Sequence, residues 1–448
     1  VKKLSRNCRI GIIGGGPAGA FCANFLLFYE KKEDFPLRIT IYEGKVFESA
    51  GVRGCNLCVG ILANSLIEKL SQIGLEIPER IIQRSIDSYK LVTEIGEITL
   101  EKDERRRIYT VYRGGGPKGF KFVEPISFDN FLLESAVARG AILKKSTIAR
   151  VIPPGRGDDP YVLEGLDGER FEEDVVIGAF GVNSSLKREF EAMNFGYNSP
   201  QTVTAYQAEF HLGERIVDEK FRNTVSVFLL RKPKLDFGLI VPKKSQVTVS
   251  LVGRGLKKQD VDAFLEHPLV RSAFPSGWSP DEEYCYCVPH LPVSPAVKPF
   301  ADRLVVIGDA SISRFYKNGI QSAYFTAKFA AETIFYHGID SGSFRRHYWR
   351  WSREKYFYDN LYGKSLFFAS LVIKRSEYLS RIMLNVARGG WASREANAER
   401  LRKVYWNMFT GNTPYYYIMR DLLNLRLQAD LLKASVLALV RRRNGDAE

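Results

Sequence analysis

The residues whose types and spacing best suit chemistry stand near the start of the chain, in Gly14-Gly15-Gly16-Pro17-Ala18-Gly19. This is a G-x-G-x-x-G. Gly14 permits a tight turn out of a strand, Gly16 lets a pyrophosphate approach bare backbone, and Gly19 lets a helix pack closely on a sheet. Pro17 and Ala18 open that helix, whose free N–H groups and partial positive charge suit phosphate. Glu43 stands 24 positions beyond Gly19, at the end of the next strand pattern, where a carboxylate holds a ribose. The motif alone is weak. Its setting of strand, glycine turn, helix, strand and acid makes it specific for a dinucleotide. A second set lies far downstream. Gly308-Asp309 follows the buried run Leu304 to Ile307, and Gly319-Ile320 comes about ten residues later. A carboxylate suits a sugar diol because it accepts two hydrogen bonds, although Asp309 could also serve as a helix cap. Cys55 and Cys58 form a C-x-x-C that reads either as a redox dithiol or as packed, inert thiols.

The elements that must position these groups follow from periodicity. Arg9 to Ile13 and Leu37 to Tyr42 read as strands around the helical run Ala20 to Tyr29. Together they have the length of one βαβ unit. Asn64 to Leu75 and Asp129 to Arg139 read as helices. Ile148 to Ile152, Tyr161 to Glu164 and Asp174 to Ile177 read as strands. Thr202 to Val252 alternates β-branched and aromatic residues with polar ones, the pattern of a sheet. Beyond Gly319 nearly everything reads helical, including a final stretch from Asp421 to Val440 with Pro414 at a first helical position ahead of it. The fold class is therefore α/β. A Rossmann-like nucleotide domain is expected over 1–100, 120–200 and 285–340. A β-rich substrate domain is expected to be inserted at 201–284 with parts of 85–120, and a helical domain to close the chain at 341–448.

Asp302 through Ala310 resembles the second flavin motif of the aromatic hydroxylase and geranylgeranyl reductase superfamily. The chain is closest in pattern to the geranylgeranyl reductase-like flavoproteins. The resemblance implies FAD as the dinucleotide. It places Asp309 on the ribityl chain and pyrophosphate, and Gly319-Ile320 near the flavin pyrimidine. Phe128-Asp129 and the run Val175 to Ser184 are similar to further elements of the superfamily. Arg53-Gly54-Cys55 falls where the reductases carry a basic residue, a small residue and a cysteine beside the flavin ring. This makes Arg53 a cofactor contact and Cys55 the first candidate for a proton donor, with Cys58 and Tyr316 behind it. Phe237, Leu239 and Val241 resemble the reductases' substrate strand, with two aromatics replaced by aliphatics. Two departures count against an NADPH-dependent hydroxylase: Phe180-Gly181 stands where an Asp-Gly is usual, and Pro125 where an arginine is usual. The bulky, basic Arg314-Phe315-Tyr316-Lys317 replaces the usual proline.

The resemblance thus implies an oxidoreductase that reduces carbon–carbon double bonds of an isoprenoid or another apolar molecule. The alternatives are a flavoprotein passing electrons to a quinone or protein partner, or a flavin-bearing subunit of an assembly. Composition sets the outer limits. The 448 residues are 45% hydrophobic, and no run reaches the roughly 18 to 20 apolar residues of a membrane span. The basic, glycine-interrupted start reads as no signal peptide, so a cytoplasmic protein is expected, peripheral to a membrane at most. The net charge is +14, and the stretch from Ser341 onward holds 20 Lys or Arg against 9 Asp or Glu. Such a region suits an anionic membrane surface or an acidic electron-donor protein. No reader motif accompanies it, so nucleic acid is not expected. The paired cysteines Cys55/Cys58 and Cys285/Cys287 are more than 200 residues apart, and no metal is expected.

Overall fold

Four of the five residues in each of the strands Arg9–Ile13 and Arg38–Tyr42 are buried, as are all four of Val175–Gly178. Burial on both faces is what a parallel sheet covered by helices demands. The three strands lie side by side in parallel, with Ile12 opposite both Ile41 and Ile177. Leu304–Val306 adds beside Val175–Gly178 and Ile142–Lys144 beside Arg38–Tyr42, both parallel, and Phe300–Ala301 closes one edge antiparallel. The downstream strand therefore returns to the sheet begun at Arg9. The computed structural model describes residues 2–443 except 52, 56–58, 102–106, 120, 121, 123, 156, 281–283, 391 and 392.

Seven helices matter for the site: α1 (Pro17–Glu33), α2 (Phe128–Ala138), α3 (Gly319–Glu332), α4 (Arg350–Arg375), α5 (Glu395–Thr410), α6 (Tyr415–Leu422) and α7 (Leu425–Arg443). α1 packs between α2 and α3. Phe21 and Phe25 of α1 hold Tyr324 of α3 edge-on, with ring centroids 5.6 and 5.1 Å apart. This packing holds the starts of α1 and α3 at the same side of the sheet.

A second sheet runs in the order Cys285–Cys287, Thr202–His211, Gln246–Gly253, Leu235–Pro242, Thr224–Phe228, Ser88–Thr93, Gly96–Glu101, with His290–Pro292 also on Thr202–His211. Its pairs are antiparallel except Thr224–Phe228 with Ser88–Thr93. The strands at 88–101 fall within the 85–120 stretch expected to contribute to this sheet, whereas 285–292, which the sequence reading gives to the nucleotide domain, joins it as well. Short strands pair wherever an edge is open, and periodicity does not say to which sheet they go.

The helical end also differs in detail. Asp421 to Val440 is not one helix. α6 ends at Leu422 and α7 opens at Leu425, because Asn424 Oδ1 accepts the N–H groups of Arg426 (3.1 Å) and Leu427 (3.3 Å) and so caps a new helix. Pro414 precedes the first helical residue of α6 instead of occupying it. Among the described residues no helix is long and apolar enough to cross a membrane.

Candidate active site

The glycine turn is built as its spacing predicts. Gly14 has φ +105°, and a Cβ there would stand 2.6 Å from the carbonyl oxygen of Ala179. A Cβ on Gly19 would stand 1.9 Å from the carbonyl oxygen of Gly14, so this glycine allows α1 to leave the turn at all. Gly16 caps α1 in an extended conformation and Pro17 follows as its first residue. Glu43 ends its strand with both oxygens engaged, Oε2 on the Gly15 N–H and Oε1 on the Lys45 N–H, each at 2.8 Å. Burial raises its pKa, and the two N–H groups partly offset the rise. Tied to the turn at this end, the carboxylate still has lone pairs for a sugar hydroxyl.

These groups line a cavity of about 580 Å³. Of the sequence-predicted cofactor residues, Gly14, Gly16, Pro17, Ala18, Glu43, Gly308, Asp309, Gly319 and Ile320 all line it. Gly19 instead packs the helix behind it. Arg53 is exposed and is not among the residues lining it. Asp309 supplies the sharpest test of fit. Its Oδ1 is shielded from water and has no hydrogen-bond partner among the described residues. Burial raises its pKa, with Arg113 and Ser313 pulling it back. A buried acceptor without a donor is costly unless a ligand supplies one. A ribityl or ribose hydroxyl does so. The first N–H groups of α3 open beside it: Asn318, left-handed at φ 55°, precedes Gly319, whose Cβ position is 3.6 Å from the Asp309 oxygens.

Arg113 is the residue that sequence reasoning missed. It lines the same cavity and is held by Asp129, with Nε–Oδ1 at 2.5 Å and Nη2–Oδ2 at 2.9 Å, both side chains buried. The expected arginine three residues before Phe128-Asp129 was looked for at Pro125. The chain instead makes a loop after Arg113 and comes back so that the Phe128 N–H donates to Tyr112 O (2.9 Å) and Ser127 Oγ to Arg113 O (3.0 Å). Only the polarity of a lone arginine at the end of the strand Ile108–Val111 signalled Arg113.

The far wall of the cavity is the second sheet. Phe237, Leu239, Ser250 and Val252 line it, whereas Val241 stays in the core, one step too far along its strand. Tyr316 and Lys317 close the wall from the turn before α3. The Tyr316 hydroxyl donates to Asp236 Oδ2 at 2.7 Å, and burial together with that carboxylate pushes its pKa up. A smaller cavity of about 360 Å³ lies behind Phe237, Tyr316 and Phe409, which line both spaces. It is lined further by Arg254, Lys364, Phe368 and Leu371. Cys55 is half-buried and is not among the residues lining either cavity. Its carbonyl accepts from Lys45 Nζ at 3.1 Å, and Lys45 does line the larger one. Cys58 lies outside the described residues.

Fold and cradle together define the class: the chain is an FAD-dependent oxidoreductase, with an α/β fold and FAD as its cofactor. No family model matches it. It is similar to the geranylgeranyl diphosphate reductase of Synechocystis sp., at 23% identity over 363 residues, 73% of this chain and 75% of the relative. It is similar also to the chloroplastic geranylgeranyl diphosphate reductase of Arabidopsis thaliana, at 24% identity over 400 residues, 79% of this chain and 72% of the relative. Its fold matches the flavin-dependent halogenase CmlS with a TM-score of 0.61 at 19% identity, covering 98% of this chain and 78% of that one. A flavoprotein/dehydrogenase from Cytophaga hutchinsonii matches with a TM-score of 0.58 at 15% identity, covering 98% of this chain and 99% of that one.

Proposed function

We propose that this protein reduces carbon–carbon double bonds of an isoprenoid or a similarly apolar molecule. The observation that carries the reading is the aromatic wall of Phe237, Tyr316 and Phe409, which faces the dinucleotide cradle on one side and a second, apolar cavity on the other. A long apolar chain needs a space of this kind, adjoining the cofactor site and lined by rings. The naming of the two sequence relatives as geranylgeranyl diphosphate reductases supports the same reading.

The residues divide the work. Gly14, Gly16 and the opening turn of α1 would hold the pyrophosphate, Glu43 a ribose, Asp309 the ribityl hydroxyls, and the first N–H groups of α3 the pyrimidine edge. Bound reduced FAD supplies a hydride to carbon. Phe237, Leu239 and Val252 would position the substrate and keep water out. The second cavity reaches the surface beside Lys364 and Phe368, both exposed on α4, and would admit the chain from an anionic membrane surface. The test is a single-turnover assay. FAD-loaded protein is reduced anaerobically with dithionite and mixed with geranylgeranyl diphosphate. The expected result is flavin reoxidation with a product heavier by two mass units per bond reduced. Reoxidation by oxygen or a quinone alone, with the isoprenoid recovered unchanged, overturns the reading and favours an electron-transfer flavoprotein.

A further inference from the structure

Lys317 has a setting that no residue of the reading above accounts for. It sits between two residues held in the left-handed region, Tyr316 at φ 61° and Asn318 at φ 55°, in the turn that leads into α3. This backbone is strained for residues with a Cβ and survives only where the surroundings hold it. They do so here: the Phe315 N–H donates to Asn360 Oδ1 at 2.8 Å, Asn360 Nδ2 to Ser313 O at 2.8 Å, and the Tyr415 hydroxyl to Phe315 O at 2.6 Å. The turn is thereby pressed against the large cavity, with Lys317 lining it.

The Lys317 ammonium stands over two aromatic rings, 5.0 Å from the centroid of Phe237 and 5.5 Å from that of Phe409. These are rings that line both cavities, so the ammonium stands at the wall the two spaces share. Among the described residues no carboxylate pairs with the ammonium. Asp236, on the strand opposite, is taken by the Tyr316 hydroxyl, and Arg314 on its own turn repels it. Asp309 and Arg113 line the same cavity, and Arg254 and Lys364 the neighbouring one. Faces of aromatic rings attract a cation without quenching its acidity as a carboxylate would.

We propose that Lys317 is the acid of the active site, donating a proton from Nζ to one carbon of the double bond while the other carbon is reduced. The inference rests on the double-bond reduction proposed above. Reduction adds a hydride equivalent, which the reduced flavin supplies, and a proton. The N–H bond breaks, a C–H bond forms, and the electron pair stays on nitrogen. The neutral amine then recovers its proton from water. Burial and the Arg314 charge bring the pKa of the amine down to about 7, which makes it a far stronger acid than an ordinary lysine and still half protonated at neutral pH. No cysteine is needed for this step, in keeping with Cys55 lying off the cavity wall.

Two measurements test the assignment. In the first, lysines of the FAD-loaded protein are reductively methylated with ¹³C-formaldehyde and titrated by NMR. One resonance is expected to titrate near pH 7 and to be missing from Lys317→Met. If the resonance that Lys317→Met removes titrates above about pH 9, the proposal is overturned, whatever the enzyme reduces. In the second, the single-turnover reduction of geranylgeranyl diphosphate is followed from pH 5.5 to 9.5. The wild-type rate should fall about tenfold for each unit above pH 7. Lys317→Met should lose at least a hundredfold and the pH dependence with it, while Lys317→Arg should be slow and flat. FAD affinity should stay within threefold in both. A Lys317→Met protein with wild-type rate and profile overturns the assignment. If wild-type protein reduces no isoprenoid, the reading of function falls by itself, and the NMR titration then decides for or against Lys317.

Discussion

Asp309 leaves the apoprotein with an unpaired acceptor in the cradle. Its carboxyl is buried, Oδ1 has no protein donor, and burial holds its pKa above the ordinary carboxylate range. A carboxyl with a raised folded-state pKa keeps its proton in the folded chain after the unfolded chain has lost its own. Stability therefore falls as pH rises from the unfolded pKa, about 3.9, towards the folded one. Asp309→Asn removes that penalty. The expected apoprotein melts above wild type at pH 7, and the two converge below about pH 4, as differential scanning fluorimetry would read. The same variant should bind FAD about ten- to hundredfold more weakly, since a charged acceptor is lost to the sugar hydroxyls. A variant that melted lower than wild type at pH 7 would instead make the carboxylate a structural anchor. Asp309 could be placed at the cavity from the sequence because its neighbours form a short motif. Arg113 was not. Its partner Asp129 is 16 positions away, and the loop between them hides the pairing from any reading by spacing.

At the scale of elements, the turn Ser313–Asn318 joins the nucleotide fold to the helical end of the chain. Arg314 donates to the carbonyls of Gly411 and Thr413, lies 4.0 Å from the Tyr415 ring centroid, and stands 3.7 Å from Asp359. Asn318 Nδ2 also reaches Gly411 O, at 2.7 Å. The helices after residue 341 therefore do more than fill space: they impose the strained geometry that aims Lys317 and the start of α3. Asn360 makes the tightest of these links, since one side chain satisfies a buried N–H and a buried carbonyl. Asn360→Ala should cost about 2–4 kcal/mol in urea denaturation, the sum of two orphaned buried groups. It should also raise the FAD dissociation constant, because the α3 N–H groups lose their aim. A variant with lowered stability and unchanged FAD affinity would uncouple the turn from the cradle. The strands Arg9–Ile13, Val175–Gly178 and Leu304–Val306 were readable as short, mostly apolar runs and Arg38–Tyr42 by its alternation, whereas the short edge strands Ile142–Lys144 and Phe300–Ala301 carry no pattern long enough to read. Leu423-Asn424 was not, because apolar periodicity continues across it and only the cap geometry of Asn424 breaks the helix.

At the scale of the whole molecule, the basic C-terminal region and an exposed apolar stripe coincide. Tyr358, Leu361, Tyr362, Phe368 and Val372 recur at helical spacing along one side of α4, and Phe368 is 68% exposed. Tyr362 meets Tyr416 of α6 with ring centroids 5.5 Å apart, and Tyr416 meets Tyr417 at 5.3 Å, with the Arg420 guanidinium 5.0 Å over the Tyr417 ring. The stripe thus extends onto α6 as tyrosines beside a basic group. Lys364 lies within it, at the mouth of the smaller cavity. Rings, aliphatics and cations together match the interface of an anionic bilayer, where apolar groups sink to the acyl boundary and Lys or Arg meet the headgroups. An acidic protein would use the charge but would gain nothing from Phe368. The expected outcome is sedimentation of the FAD-loaded protein with liposomes containing about a third phosphatidylserine. Binding should weaken several-fold between 50 and 300 mM salt and fall steeply on pure phosphatidylcholine. Leu361→Glu with Val372→Glu should lower vesicle binding at least tenfold while leaving the melting temperature and FAD content unchanged, since both side chains are exposed and neither lines a cavity. If those substitutions left vesicle binding intact, the stripe would not be the contact. A vesicle-bound lipid isoprenoid should then be reduced no more slowly by the double variant than by wild type, whereas delivery through this face requires that it be slower on vesicles and equal in detergent.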